Sequence, residues 1–284
     1  MRRREFITLL GGATVAGPIA ARAQQAGTVW RLGFLTPRSH PIPPAHDAFS
    51  DAFVEGMSNL GYNEGRNLVV EWRYADGDYT RLSGFANELV GMNLSVIVTY
   101  GTAAARELQK STTSIPVVVA AAVDLVGAGI VASLARPGRN ITGLSVIDVD
   151  ISTKQLELLK AFSPKLTRVA VLLNPGNSAN PLVLKHVEAG ASAFGVKIVA
   201  VNAATPQAIE TAFAEAVQQG AGAVIVAADA FFSGQGPQIA NSAAQHRLAT
   251  ISLYRDHVLA GCLISYGQNV AEFHRQAATM LTRY

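Results

Sequence analysis

The sequence has one cysteine in 284 residues, Cys262, which excludes an intrachain disulfide. Cys262 stands in an apolar run with Leu263 and Ile264 and reads as core packing, not as a reactive thiol. Paired cysteines, an H-E-x-x-H helix, a P-loop and a G-x-S-x-G elbow are all missing. The six histidines are scattered. His40 and His46 share a proline-rich loop with no third ligand in register, so no metal site is expected. Charged residues make up only 15% of the chain. The basic excess lies in residues 1–23, where Arg2, Arg3, Arg4 and Arg22 stand against Glu5. The rest of the chain balances its charges and offers no footprint for nucleic acid. No apolar run beyond residue 23 is long enough to cross a membrane.

What is present begins with a charged start, Arg2-Arg3-Arg4-Glu5-Phe6, followed by an apolar stretch from Ile7 to Ala20 and then Ala21-Arg22-Ala23. This is the pattern of a secretory signal, and its paired arginines resemble a twin-arginine export signal. Cleavage is expected after Ala23, which places the mature protein in the periplasm. Without disulfides the remaining ~260 residues must rely on a large core, and they suffice for two lobes.

Apolar periodicity predicts alternating strands and helices. Val29–Thr36, Asn67–Tyr74, Val96–Thr99 and Val117–Val123 read as strands. Helices are predicted between them, carrying Phe49, Phe53, Met57 and Leu60, then Leu82, Phe85, Leu89 and Val90, then Ala103 to Leu108. After the breaker-rich turn Arg136-Pro137-Gly138-Arg139-Asn140 and an extended stretch from Ile141 to Ile147, the alternation restarts. Its strands are 168–173, 197–201, 223–227 and 249–253, and Cys262 to Tyr266 leads into a last helix from Val270 to Leu281. The fold class is therefore α/β, with two lobes built on parallel sheets. No stop signal follows the last helix, so the chain is expected to end C-terminally truncated.

The stretch Ser95 to Asp124 concentrates the chemistry. A buried strand runs into Tyr100-Gly101-Thr102, a helix follows, and a second strand stops at Asp124. Ligands of open α/β sheets bind beyond the carboxyl ends of strands. The helix N-terminus after Gly101 suits an anion and the carboxylate of Asp124 suits a cation, a pair that fits a zwitterion such as an amino acid. The plainer reading is a cap and a turn. The same strand-end logic marks Thr36, Asn174, Asp229 and Tyr254, with Tyr266 near the crossing between lobes. Asp124 or Asp229 would hold an ammonium, and Tyr100, Tyr254 and Tyr266 would form walls.

Gly127-Ala128-Gly129-Ile130-Val131-Ala132 matches G-x-G-x-x-A, with Asp148 about twenty residues on. This leaves an alternative: a dinucleotide- or cofactor-binding enzyme exported folded. Against it, the segment Ile130–Ala135 is short for a crossover helix, and the strand ends at Asp124, not at the first glycine. The two glycines are expected to serve a tight turn and a short helix start, and no cofactor is expected.

Several segments taken together resemble a known family: LGYNEGRNLVVEWRYADGDYTRL, VIVTYGTAAAREL, IPVVVAAAVDLVGAGIVASLARPGRNITGLS, KQLELLKAFSP, RVAVLLNPGN and LISYGQN. The chain is similar to the substrate-binding proteins of bacterial ABC transporters, in the branch related to tryptophan- and tyrosine-binding proteins. The resemblance covers nearly all of the chain after the export signal. It implies a type I periplasmic binding fold with hinge strands, and a small polar or zwitterionic solute, such as an aromatic amino acid, held between lobes and handed to a membrane permease. It implies a binding protein without catalysis, monomeric, with lobes at 24–144 plus 265–284 and at 145–264. The chain would cross near Ile141–Val146 and return near Ile264–Tyr266, so that these segments lie side by side. Members of the family normally continue past Tyr284, and a small residue is frequent where Tyr100 stands.

Overall fold

The computed structural model describes residues 29–41, 47–146 and 148–282. The export segment and His46 lie outside the described residues. Two five-stranded sheets, all parallel, carry the architecture.

The first sheet is built from β1 (Trp30–Thr36), β2 (Leu68–Tyr74), β3 (Val96–Tyr100), β4 (Val117–Val123) and β5 (Ile141–Val146). Its order is β2-β1-β3-β4-β5. Strands β3 and β4 are buried along their whole length, as their unbroken β-branched and alanine runs require. One face packs against α1 (Ala48–Asn59) and α9 (Val270–Leu281) through Phe34, Phe53, Met57 and Ala277. The other packs against α2 (Arg81–Val90) and α3 (Thr102–Ser111) through Leu82, Leu89, Ala104 and Leu108.

The second sheet repeats this plan with β6 (Arg168–Leu173), β7 (Lys197–Asn202), β8 (Ala223–Val226), β9 (Ala249–Ser252) and β10 (Ile264–Ser265). Read from β7, its order is β7-β6-β8-β9-β10, the same winding as the first. Helices α4 (Asp148–Phe162) and α5 (Asn180–Ala193) cover one face through Leu156, Leu159, Val183 and Val187. Helices α6 (Pro206–Gln218) and α7 (Gly236–His246) cover the other through Ile209, Phe213 and Ile239. A short helix, α8 (Arg255–Leu259), and a 3-10 turn at Phe232–Gly234 are additions to the elements expected from periodicity.

The chain passes between the lobes at the fifth strand of each sheet. β5 pairs with β4 in the first sheet and leads into α4 of the second lobe. β10 pairs with β9 in the second sheet and leads into α9, which packs back on α1. Among the described residues no ladder joins β5 to β10. Gly143 lets β5 lie close against β4: a Cβ there would meet the Val119 carbonyl oxygen and stand 2.6 Å from the Val119 Cβ.

The helix start expected at Ile130–Ala135 does not form; turns at 125–129 run into irregular, bent backbone. The carbonyls that lead into it are already taken. The Arg106 guanidinium donates to the Ala128 carbonyl at 2.6 Å, and the Gln109 amide to those of Gly129 and Ile130. Gly127 donates its N–H to Asp124 Oδ1 at 2.8 Å, and Gly129 sits at φ 69°. A glycine-rich turn with no helix behind it cannot present a helix N-terminus to a pyrophosphate, so the dinucleotide alternative loses its structural basis.

Candidate functional site

In each sheet the winding reverses between the first strand of its lobe and the third, β1 and β3 in one lobe, β6 and β8 in the other. Beyond the carboxyl ends of strands at such a point is where open α/β sheets bind ligands. The two reversal points face each other and enclose a cavity of about 20 Å³. Pro37, Tyr79, Tyr100, Gly101 and Thr102 line it from the first lobe, and Asn177, Asp229, Ala230 and Tyr254 from the second.

Asp229, 3% exposed, is the only carboxylate among the lining residues. Its Oδ2 accepts from the Tyr79 hydroxyl and from Asn177 Nδ2, each at 2.8 Å. Its Oδ1 accepts from the backbone N–H groups of Phe231 and Phe232 at 2.9 and 3.2 Å, with Asn174 Nδ2 at 3.5 Å. Burial raises its carboxyl above the ordinary range, and the donors from Tyr79, Phe232, Asn177 and Asn174 act against that rise. The Tyr254 hydroxyl donates to the Asp229 carbonyl at 2.9 Å and accepts from the Asp229 N–H at 3.0 Å. That leaves the Tyr100 hydroxyl as donor in its 3.2 Å contact with Tyr254.

Helix α3 begins at Gly101 with φ 90° and no side-chain cap. The Thr102 hydroxyl is turned to the sheet instead: it accepts from Val123 N–H at 3.1 Å and donates to the Val123 carbonyl at 3.3 Å. Thr102 thus ties the helix start to the end of β4, while Gly101, Thr102 and Ala103 border the cavity.

The other sequence-predicted residues lie elsewhere. Thr36 is buried at the end of β1, its hydroxyl accepting from the Arg38 N–H. Asn174 stands behind Asp229, and its Oδ1 accepts from Gly176 N–H. Asp124 has φ 35° and turns its carboxylate onto its own loop at Gly127, away from the cavity. Tyr266 is 41% exposed; its N–H bonds the Ser252 carbonyl and its own carbonyl accepts from Gln155. Sequence reasoning passed over Tyr79, Asn177 and Arg38. Arg38 pairs with buried Asp47 at 2.9 Å, lies 4.3 Å from the centre of the Phe49 ring, and donates to Ser233 of the other lobe at 2.5 Å. Arg38 and Asn177 stand in loops that the sequence already marked at strand ends, Pro37-Arg38-Ser39-His40-Pro41 and Asn174-Pro175-Gly176-Asn177. Reading every polar residue of those loops would have found both.

Two buried histidines flank the tyrosines. His274 packs against Tyr100 with ring centres 5.0 Å apart, and His257 against Tyr254 at 5.1 Å. Burial holds both down at about 4, opposed by single bonds to the Val270 and Phe232 carbonyls. An unfolded histidine titrates near ~6.5, so between those values the unfolded chain takes up protons that the folded one refuses. Stability is therefore expected to fall as pH drops from 6.5 toward 4, by at most about 1.4 kcal/mol per pH unit for each ring. The raised carboxyl of Asp229 acts in the opposite direction, since its ionisation is harder in the folded state. Urea unfolding at pH 7 and pH 5 checks this. His274→Asn should flatten the slope, and an unchanged slope would remove His274 from the account.

No group of three or more metal-ligating side chains occurs among the described residues, and none of their helices is long and apolar enough to cross a membrane. Comparison with known proteins places this geometry. A tyrosine-binding protein from Clostridioides difficile is 24% identical over 225 residues, 79% of this chain. The chain spans 64% of that relative's length. A crystal structure of a conserved domain protein from Vibrio cholerae, 25% identical, superposes with a TM-score of 0.81 over 90% of this chain and 84% of that one. An ABC domain in complex with L-Trp from Streptococcus pneumonia, 21% identical, gives 0.80 at the same coverage. The fold is that of type I periplasmic binding proteins: two lobes of parallel sheet, each flanked by helices. The sequence model described as ABC transporter substrate binding protein matches residues 38–284, and the chain belongs to that family.

Proposed function

We propose that this protein is an exported receptor that captures an amino acid, or a similar small zwitterion, between its lobes and delivers it to the permease of an ABC importer. One observation carries the reading. A buried carboxylate and an uncapped helix N-terminus border the same cavity, one from each lobe. Among the described residues every hydrogen-bond donor to the Asp229 carboxylate is neutral, so a solute ammonium would be its first cationic partner. The N–H groups at the start of α3 supply the anion-binding end. Asp229 takes the ammonium, and the α3 terminus takes the carboxylate. The tyrosine-binding relative and the L-Trp complex support an amino acid as the solute class. In this reading the signal is cleaved after Ala23 and the protein works as a periplasmic monomer. Its lobes are residues 24–144 with 265–284, and residues 145–264.

A thermal-shift screen against the natural amino acids and small carboxylates tests this. A solute at ~100 times its dissociation constant adds about 2.7 kcal/mol of stability. An unmoved midpoint with every zwitterion in the panel would overturn the proposal.

A further inference from the structure

We infer that the Tyr79 hydroxyl is a built-in stand-in for the ammonium of the solute: it shuts the cleft by binding Asp229, and a solute gains the site only by displacing it. The inference rests on the amino-acid reading above and deepens it.

An ionised carboxylate offers about four lone-pair sites. At Asp229 donors within 3.2 Å fill them: Tyr79 and Asn177 on Oδ2, and the N–H groups of Phe231 and Phe232 on Oδ1. Asn177 follows β6 and the two phenylalanines follow β8, so these donors belong to the second lobe and stay with Asp229 when that lobe moves as a body. Tyr79 follows β2 and comes from the first lobe. It is the donor that leaves when the lobes part, and the acceptor position it vacates on Oδ2 is the one opened to an ammonium. The tyrosine is closely seated for this contact. A Cβ on Gly176 would stand 3.0 Å from both Cβ and Cγ of Tyr79, so the side chain lies against the backbone of the loop after β6. A Cβ on Gly77 would stand 2.8 Å from Phe231 Cδ2, so the loop that carries Tyr79 also meets the loop that carries Asp229. Other side-chain bonds cross between the lobes in the same arrangement, Arg38 to Ser233 and Tyr100 to Tyr254 at 3.2 Å. The space left inside, about 20 Å³, is close to the ~10–15 Å³ that one water needs. An amino acid therefore cannot share this closed arrangement with Tyr79. It enters when the lobes part, and closure over it keeps the hydroxyl off Asp229. The cleft is thus drawn shut from within, and the apparent affinity for solute falls by the fraction of molecules held in that state.

Small-angle X-ray scattering tests the closure without any solute, on protein stripped by refolding from guanidinium chloride. The parent should scatter as the closed structure does. Tyr79→Phe removes the hydroxyl and keeps the ring, and its radius of gyration should exceed that of the parent. A parent whose scattering requires parted lobes overturns the inference, even if Tyr79→Phe fails to fold, and so does a variant that scatters as the parent does. Calorimetric titration of both proteins with the natural amino acids reads the competition. Tyr79→Phe should bind whichever of them the parent binds at least about tenfold more tightly, the equivalent of one hydrogen bond to a charged group. Equal or weaker binding by Tyr79→Phe would make Tyr79 a partner of the solute instead of its competitor, and would overturn the inference while leaving the amino-acid reading intact. No binding by either protein counts against the amino-acid reading and the competition together, whatever the scattering shows.

Discussion

Replacing Asp229 with asparagine is expected to cost about 2–5 kcal/mol of solute binding, the usual penalty for removing one partner of a buried charge pair. The substitution keeps the shape and removes the charge. One amide oxygen can still accept from the N–H groups of Phe231 and Phe232. The new NH2 group then falls where Oδ2 accepted from Tyr79 and Asn177. The Tyr79 hydroxyl can reverse and accept. Asn177 cannot easily turn its amide, because its Oδ1 already accepts from the Ala179 N–H at 3.0 Å. Two donors then face each other in a buried site, which costs about 1–3 kcal/mol of stability in addition. Calorimetry with a solute identified by the thermal screen, and urea unfolding without it, separate the two effects. Binding by Asp229→Asn within a factor of two of the parent would remove Asp229 from the ammonium site.

Phe53→Ala should destabilise the first lobe by about 3–5 kcal/mol, the range for removing a large aromatic from a core. Phe53 lies on the inner face of α1 and is fully buried. Its ring meets Phe34 edge-on at 5.2 Å and Trp72 at 6.3 Å. The space it vacates cannot close by moving α1 inward, because α1 already touches α9. A Cβ on Gly56 would stand 2.9 Å from the Ala278 Cβ and 3.0 Å from the Arg275 carbonyl oxygen. The Arg275 ion pairs with Glu55 and Glu272 at the rim of this contact are largely exposed and add little. Urea unfolding reads the loss directly. Phe213→Ala, equally buried in the second lobe, serves as the control and should weaken the core beneath α6 and α7. A loss below ~1 kcal/mol for Phe53→Ala would mean that the first lobe repacks around the gap.

The elements and their order were legible in the sequence because burial leaves a period in it. β3 and β4 are buried on both faces and therefore read as unbroken apolar runs, Val96–Tyr100 and Val117–Val123. α1 buries one stripe and shows Phe49, Phe53 and Met57 at helical spacing. The alternation of such runs dictates parallel sheets, and parallel sheets direct attention to strand ends. That rule pointed to Tyr100, Gly101, Thr102, Asp229 and Tyr254, all of which line the cavity. It pointed equally to Thr36, Asn174, Asp124 and Tyr266, which do not. The difference lies in side-chain direction. A φ of 35° turns Asp124 back onto Gly127, and the pairing of β10 with β9 leaves the Tyr266 ring outside.

By itself, then, the sequence determined two α/β lobes and the strand ends among which the polar residues of the cleft are found. Only the tertiary structure decided which polar groups face one another across the cleft. Tyr79 reaches Asp229 over 150 positions of sequence, and Arg38 reaches Ser233 over 195. No local pattern encodes such pairs. They exist because two sheets of the same winding are brought face to face at their reversal points, and the loops that meet there belong to different lobes.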